Sequence, residues 1–199
     1  MSLNNTKNEA MKKIRDEVFG GENLPLYKNR IENGNFPVIG EGSYNADIVF
    51  IGEAPGRNEA KTGRPFCGVA GKILDELLES AGIKREDVYI TNIVKDRPPS
   101  NRDPLPEEIK AYSPFLDRQI EIIQPKIIAT LGRYSMQYIM NKFGLGDKLG
   151  TIGQLHGQSF VADIKGRKIK IVVLYHPAAT IYNQNLKDTL KKDFKVFSL

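Results

Sequence analysis

A chain of 199 residues with a net charge of +5 has the length for one domain, residues 1–199, in which helices cover both faces of a sheet. Its single cysteine, Cys67, excludes an internal disulfide and any metal site built from cysteines alone. No apolar run approaches the ~20 residues of a spanning helix, and the opening MSLNNTKNEAMKKIRDEVF lacks the apolar core of a secretory signal, so a cytoplasmic protein with no membrane partner is expected.

The first predicted element is an N-terminal helix over 5–19, within residues 1–20. ADIVFIG (46–52) follows, a short apolar run with the length of a buried strand. GVAGKILDELLESAGI then sets Ile73, Leu74, Leu77, Leu78 and Ala81 on one helical face and meets its natural stop at Gly82. DVYITN (87–92) is the second strand. LPEEIKAYSPFLDRQIEIIQP starts a helix with Pro106 and two carboxylates at its positive end and stops before Pro125, while Pro114 inside it is expected to break or kink it. Beyond it come KIIATLG (126–132) as the third strand, RYSMQYIMNKF as a helix, KIKIVVLYH (168–176) as the fourth strand and NLKDTLKKDFKVFSL as the last helix. Strands alternating with helices imply right-handed crossovers. The predicted fold is α/β, a three-layer α/β/α sandwich with a central, mainly parallel four-stranded sheet.

The carboxyl ends of parallel strands lie along one edge, where ligands of such folds bind. Here the ends carry Gly52 and Glu53, Thr91 and Asn92, residues 131–133, and residues 175–177. Glu53, Asn92, Arg133 and His176 are therefore expected around one cleft. Each alone suits an ordinary turn, but a carboxylate, an amide and an imidazole together point to chemistry.

GEAPGRNEAKTGRPFCGVAGKIL, TNIVKDRPPSNRDPLPEE, PKIIATLG and YHPAAT stand in an order and spacing that resembles the uracil-DNA glycosylase superfamily, most of all its family four, over 24–197. The resemblance implies an enzyme that flips uracil out of DNA and hydrolyses its bond to deoxyribose with water, not a lysine Schiff base, leaving an abasic site. It makes Phe66, expected in an exposed loop, the platform under the base, where stacking is worth ~1–3 kcal/mol. Asn92 becomes the reader of uracil, its amide matching O4 and N3–H, with Ala54 also at the base. His176 faces O2, where a donor stabilises the charge that develops on departing uracil. Family-one enzymes carry an aspartate in Gly-Gln-Asp-Pro-Tyr at the position of Ala54. Either Glu53 or Glu59 must then orient the water or support the cationic sugar, and both stay open. Gly56 replaces the tyrosine that shields against thymine, which leaves exclusion of the methyl group to another residue such as Glu53. His156 has no counterpart role and is expected in a loop.

The chain also departs from the pattern. Family-four enzymes hold a [4Fe–4S] cluster with four cysteines, and the matching positions are Gly21, Leu24, Asp96 and Tyr112, none able to act as a thiolate. A cluster-free protein without cofactor or metal is expected, packed there by residues such as Leu24 and Tyr112. Lys95, Arg97 and Arg102 are expected to contact phosphates, and Ile181 or Tyr182 to enter the duplex as a wedge. The lysines of the last helix suit a solvated face. The implied partner is uracil-containing DNA, single- or double-stranded, met by a monomer. Two other readings are a non-catalytic DNA- or nucleotide-binding protein on the same fold and a glycosylase of broader base choice. Glu53, Phe66, Asn92 and His176 together favour the enzyme.

Overall fold

The computed structural model describes residues 3–164 and 166–197, apart from the side chains of Leu3, Asn4 and Tyr182. In chain order its elements are α1 (Leu3–Phe19), α2 (Tyr27–Glu32), β1 (Glu41–Gly42), β2 (Ile48–Gly52), α3 (Arg57–Thr62), α4 (Val69–Ser80), β3 (Tyr89–Asn92), α5 (Pro106–Ile123), β4 (Ile127–Leu131), α6 (Arg133–Lys142), α7 (Ile152–Leu155), β5 (Ser159–Ile164), β6 (Arg167–Leu174), α8 (Ala179–Tyr182) and α9 (Asn185–Phe194).

Among the described residues the sheet runs β1-β3-β2-β4-β6-β5. The four expected strands are its parallel centre, β3-β2-β4-β6. Two antiparallel edge strands, β1 and β5, extend the expected four to six. With two residues β1 is too short to show a period. In β5, Phe160, Ala162 and Ile164 alternate inward, but the outward Val161, 61% exposed, obscures the pattern.

Alternation along the central strands builds two cores. Val49, Ile51, Ile128, Ile171 and Val173 face α1, α5 and α6, where Ile14, Leu116, Ile120 and Ile139 meet them. Phe50, Ile90, Ala129, Val172 and Leu174 face the other way, onto Leu74, Leu77 and Leu78 of α4 and Leu190 and Phe194 of α9. The predicted stop at Gly82 is present: it has φ +70 and the Ile83 N–H donates to the Leu78 carbonyl at 2.9 Å.

Pro114 does not break its helix. α5 runs unbroken through it for 18 residues. The proline lies on the exposed side, and the Lys110 carbonyl whose partner it removes belongs to an exposed residue that water can serve.

The four positions matched to cluster cysteines do not fit a thiolate-held group, because their surroundings are filled. A Cβ on Gly21 would stand 2.7 Å from Leu24 Cδ1, and Leu24 packs with Val18, Leu26, Val94 and Tyr112. The Tyr112 hydroxyl donates to Asp96 Oδ2 at 2.6 Å, and Arg30 donates to both Asp96 oxygens at 3.1 Å. Arg30 also reaches the Val18 and Phe19 carbonyls at 3.0 and 2.7 Å, tying α1 and α2 to the chain after β3. Burial raises the pKa of Asp96, against its bonds from Tyr112 and Arg30.

Candidate active site

β2 and β4 send their chains to opposite sides of the sheet, and the crevice of such a switch point opens over their carboxyl ends. Gly52 closes β2 because nothing larger fits. A Cβ there would collide with Asn92 Oδ1 and come within 2.8 Å of Phe66 Cζ. The amide and the ring can therefore share one floor.

Phe66 is held there under strain, at φ 46, a conformation uncommon for an aromatic residue and frequent at functional sites. Its carbonyl leaves no room for a Cβ at Gly71 of α4. Glu59, on α3, fixes the loop: Oε1 accepts the Cys67 and Gly68 N–H groups at 3.0 and 2.9 Å, which also neutralises the start of α4. Phe66 is only 6% exposed, so the exposed loop expected from its neighbours is corrected to the floor of a cleft.

His176 follows β6. The Ala178 N–H donates to its Nδ1 at 3.1 Å, so the proton sits on Nε2. Burial lowers its pKa to about 4, with Glu59 opposing, and the ring is neutral at pH 7. It stacks on Phe66 with centroids 5.6 Å apart. At the end of β4, Gly132 (φ +95) lets the His176 segment cross close by, a Cβ there being 3.2 Å from that of His176. His156 braces the preceding residue, stacking on Tyr175 at 4.4 Å and bonding Asp193 at 2.8 Å.

Glu53, Glu59, Phe66, Asn92, Asn101 and His176 line a cavity of about 310 Å³, whose remaining wall is small residues: Gly56 and the alanines at 54, 70 and 178. Burial and the nearby charge of Asp103 raise the Glu53 pKa to about 7, with Arg133 opposing. Arg133, expected in the cleft wall, turns to its rim: it donates to Asp103 Oδ2 at 2.6 Å and lies over the Tyr134 ring at 4.6 Å. Asn101 was missed by the sequence reading. It and Ser100 have φ 54 and 55, and the Pro-Pro-Ser-Asn run is the signal for that turn. Another cavity of about 310 Å³, between α1 and residues 36–44, lacks the imidazole and the carboxylates. Among the described residues no group of three or more histidine, cysteine, aspartate or glutamate side chains is placed to hold a metal ion.

One expected DNA contact is overturned. Lys95 is fully buried, its Nζ directed into the protein, and it cannot meet a phosphate. Arg97 is partly exposed and bonds Asn101 Oδ1 at 2.6 Å. Arg102 grips Glu108 at 2.6 and 2.9 Å across the start of α5, with its guanidinium still partly open to solvent. Ile181, on α8, is 48% exposed. The Tyr182 side chain lies outside the described residues.

A family model described as "Uracil DNA glycosylase superfamily" matches residues 39–197. The chain belongs to this superfamily. It is 48% identical over 188 residues to a type-4 uracil-DNA glycosylase of Sulfurisphaera tokodaii, covering 94% of this chain and 83% of that one. The type-4 uracil-DNA glycosylase of Archaeoglobus fulgidus is 44% identical, with 94% and 91% covered, and that of Saccharolobus solfataricus 49% identical, with 92% and 82% covered. GEAPG at the end of β2, Asn92 at the end of β3 and HPAAT after β6 thus lie within the matched span and meet at the cleft.

Proposed function

We propose that this protein is a uracil-DNA glycosylase that hydrolyses the bond between uracil and deoxyribose and leaves an abasic site. The observation that carries the reading is the fixed Nε2–H of His176 in one cavity with Asn92 and Phe66. A flipped uracil stacks on Phe66, and the Asn92 amide donates to O4 and accepts from N3–H, a pattern that cytosine reverses. As the bond breaks, negative charge gathers on uracil and positive charge on the sugar. The neutral His176 donates to O2 and stabilises that anion without having to lose or gain a proton.

Glu53 and Glu59 divide the remaining work. Glu59 has one oxygen committed to the Phe66 loop, which favours an anchoring role. Glu53, beside the switch-point crevice and ionising near neutral pH, suits the water or the cationic sugar. Arg97 and Arg102 supply phosphate contacts, and Ile181 or Tyr182 the wedge into the space that the base vacates. A single domain acting as a monomer performs this without an iron–sulfur cluster, a reading supported by the filled space around Gly21, Leu24, Asp96 and Tyr112.

Labelled DNA with uracil in a single strand, opposite guanine and opposite adenine, incubated with the protein and treated with alkali, tests the reading. Cleavage at uracil and not at thymine or hypoxanthine is expected. Binding to uracil DNA with no alkali-labile site would make the protein a binding module, and cleavage at thymine or hypoxanthine a glycosylase of broader choice.

A further inference from the structure

Lys95 is the charged residue that the reaction leaves unexplained. It is 0% exposed, and its Nζ donates to the Asn92 carbonyl at 2.6 Å, Gln119 Oε1 at 2.7 Å and Thr91 Oγ1 at 2.8 Å. All three partners are fixed as acceptors. The Thr91 hydroxyl spends its proton on the Ile39 carbonyl at 2.7 Å. Gln119 directs its amide nitrogen to the Ile39 carbonyl at 2.9 Å and the Tyr89 hydroxyl at 3.0 Å, which leaves its oxygen for Lys95. An ammonium group has three protons and meets three acceptors; a neutral amine would face one of them with its lone pair.

No carboxylate touches this ammonium among the described residues. Burial lowers its pKa well below the ordinary lysine value, with only the charge of Asp117 opposing. Taking such a group out of water is costly, and its three hydrogen bonds offset that cost only while their partners stay in place. What it holds is the last residue of β3. The Lys95 carbonyl accepts the Val38 N–H at 2.7 Å, so the clamp is itself anchored at both ends, and the side chain of the clamped residue projects into the cleft.

We propose that Lys95 is a positioning residue for base recognition: by gripping the Asn92 carbonyl from inside the protein it sets the aim of the Asn92 amide at uracil. This rests on the uracil reading of the cleft. Lys95 touches neither base nor DNA and acts through Asn92, in which it differs from the phosphate contact that its place in KDRPPSNR suggests.

The test is affinity for free uracil, measured by calorimetry at a temperature where each variant is folded, together with single-turnover excision from uracil DNA. Lys95→Met keeps the length of the side chain and removes the grip. Uracil affinity and excision should each fall by ~10²-fold, the cost of a misplacement of about an ångström, while affinity for uracil-free DNA stays within about twofold. Ile169→Ala, at the far end of β6, supplies a comparable loss of stability and should leave uracil affinity unchanged. In an Asn92→Ala background Lys95→Met should cost almost nothing further, since the two act as one unit. If Lys95→Met does not fold, Thr91→Val and Gln119→Leu, which each remove one acceptor, are read through the same cycle. Unchanged uracil affinity in the folded variants, or a full additional loss in the Asn92→Ala background, would overturn the proposal. Free uracil needs no chemistry to bind, so wild-type protein that binds uracil without excising it contradicts the glycosylase reading and leaves this test intact; wild-type protein that neither binds nor excises uracil contradicts both.

Discussion

Glu53 and His176 face one cavity, and burial acts on them in opposite senses because it always disfavours the charged form. The carboxyl is raised to about 7 and the imidazole lowered to about 4. For Glu53 the native pKa exceeds the unfolded 4.5, so the native state holds the extra proton between these values and stability falls as pH rises through that window. Glu53→Gln is therefore expected to raise Tm at pH 8 and to leave it unchanged at pH 4, measured by calorimetry, while abolishing the part of the wild-type excision profile that rises through pH 7. An equal Tm change at both pH values would contradict the assignment. For His176 the sign is reversed: its contribution is complete above the unfolded 6.5 and is lost as pH falls toward 4. At this scale the sequence showed which residue types stood at strand ends but not their burial. Lys95, in a run of charged and proline residues, read as solvent-facing because one of its three acceptors, Gln119, is 24 positions away.

Between residues and fold stand two small assemblies, one holding the loop of the cleft and the other tying α1 and α2 to the chain after β3. Glu59 joins α3 to the start of α4 across Phe66. An anchor needs only an acceptor, whereas a group that activates water needs a charge. Glu59→Gln should therefore retain uracil excision within about tenfold while Glu59→Ala loses ~10²-fold with the loop, both by single-turnover kinetics; equal losses would return Glu59 to the water. The second assembly is Arg30, Asp96 and Tyr112, with Arg30 and Asp96 only 3% and 1% exposed. Arg30→Met leaves a buried carboxylate unpaired and should cost ~3–5 kcal/mol, against ~1–3 kcal/mol for Tyr112→Phe, in urea unfolding. The sequence brought Asp96 and Tyr112 together only through the resemblance and carried no sign of Arg30, which lies 66 positions from Asp96. It misled at Pro114, whose tolerance depends on which side of α5 meets water.

Over the whole molecule, strand–helix alternation made the parallel centre legible, since each central strand is a run of apolar residues buried on both faces. Its edges were not, because β1 is two residues long and β5 carries an outward valine. The topology explains why distant motifs meet: it brings Glu53, Asn92 and His176 to one edge of the sheet from strands that are far apart in the chain. The central claim is that this edge breaks the glycosidic bond of uracil through a neutral His176. Single-turnover conversion of uracil DNA, with free uracil and abasic sites counted together, tests it in wild-type protein and in His176→Ala. One uracil released per abasic site by the wild type, and a rate ~10²–10³-fold lower in His176→Ala with DNA affinity unchanged, is the predicted result. Equal rates in the two proteins, or uracil left intact in bound DNA, would contradict it.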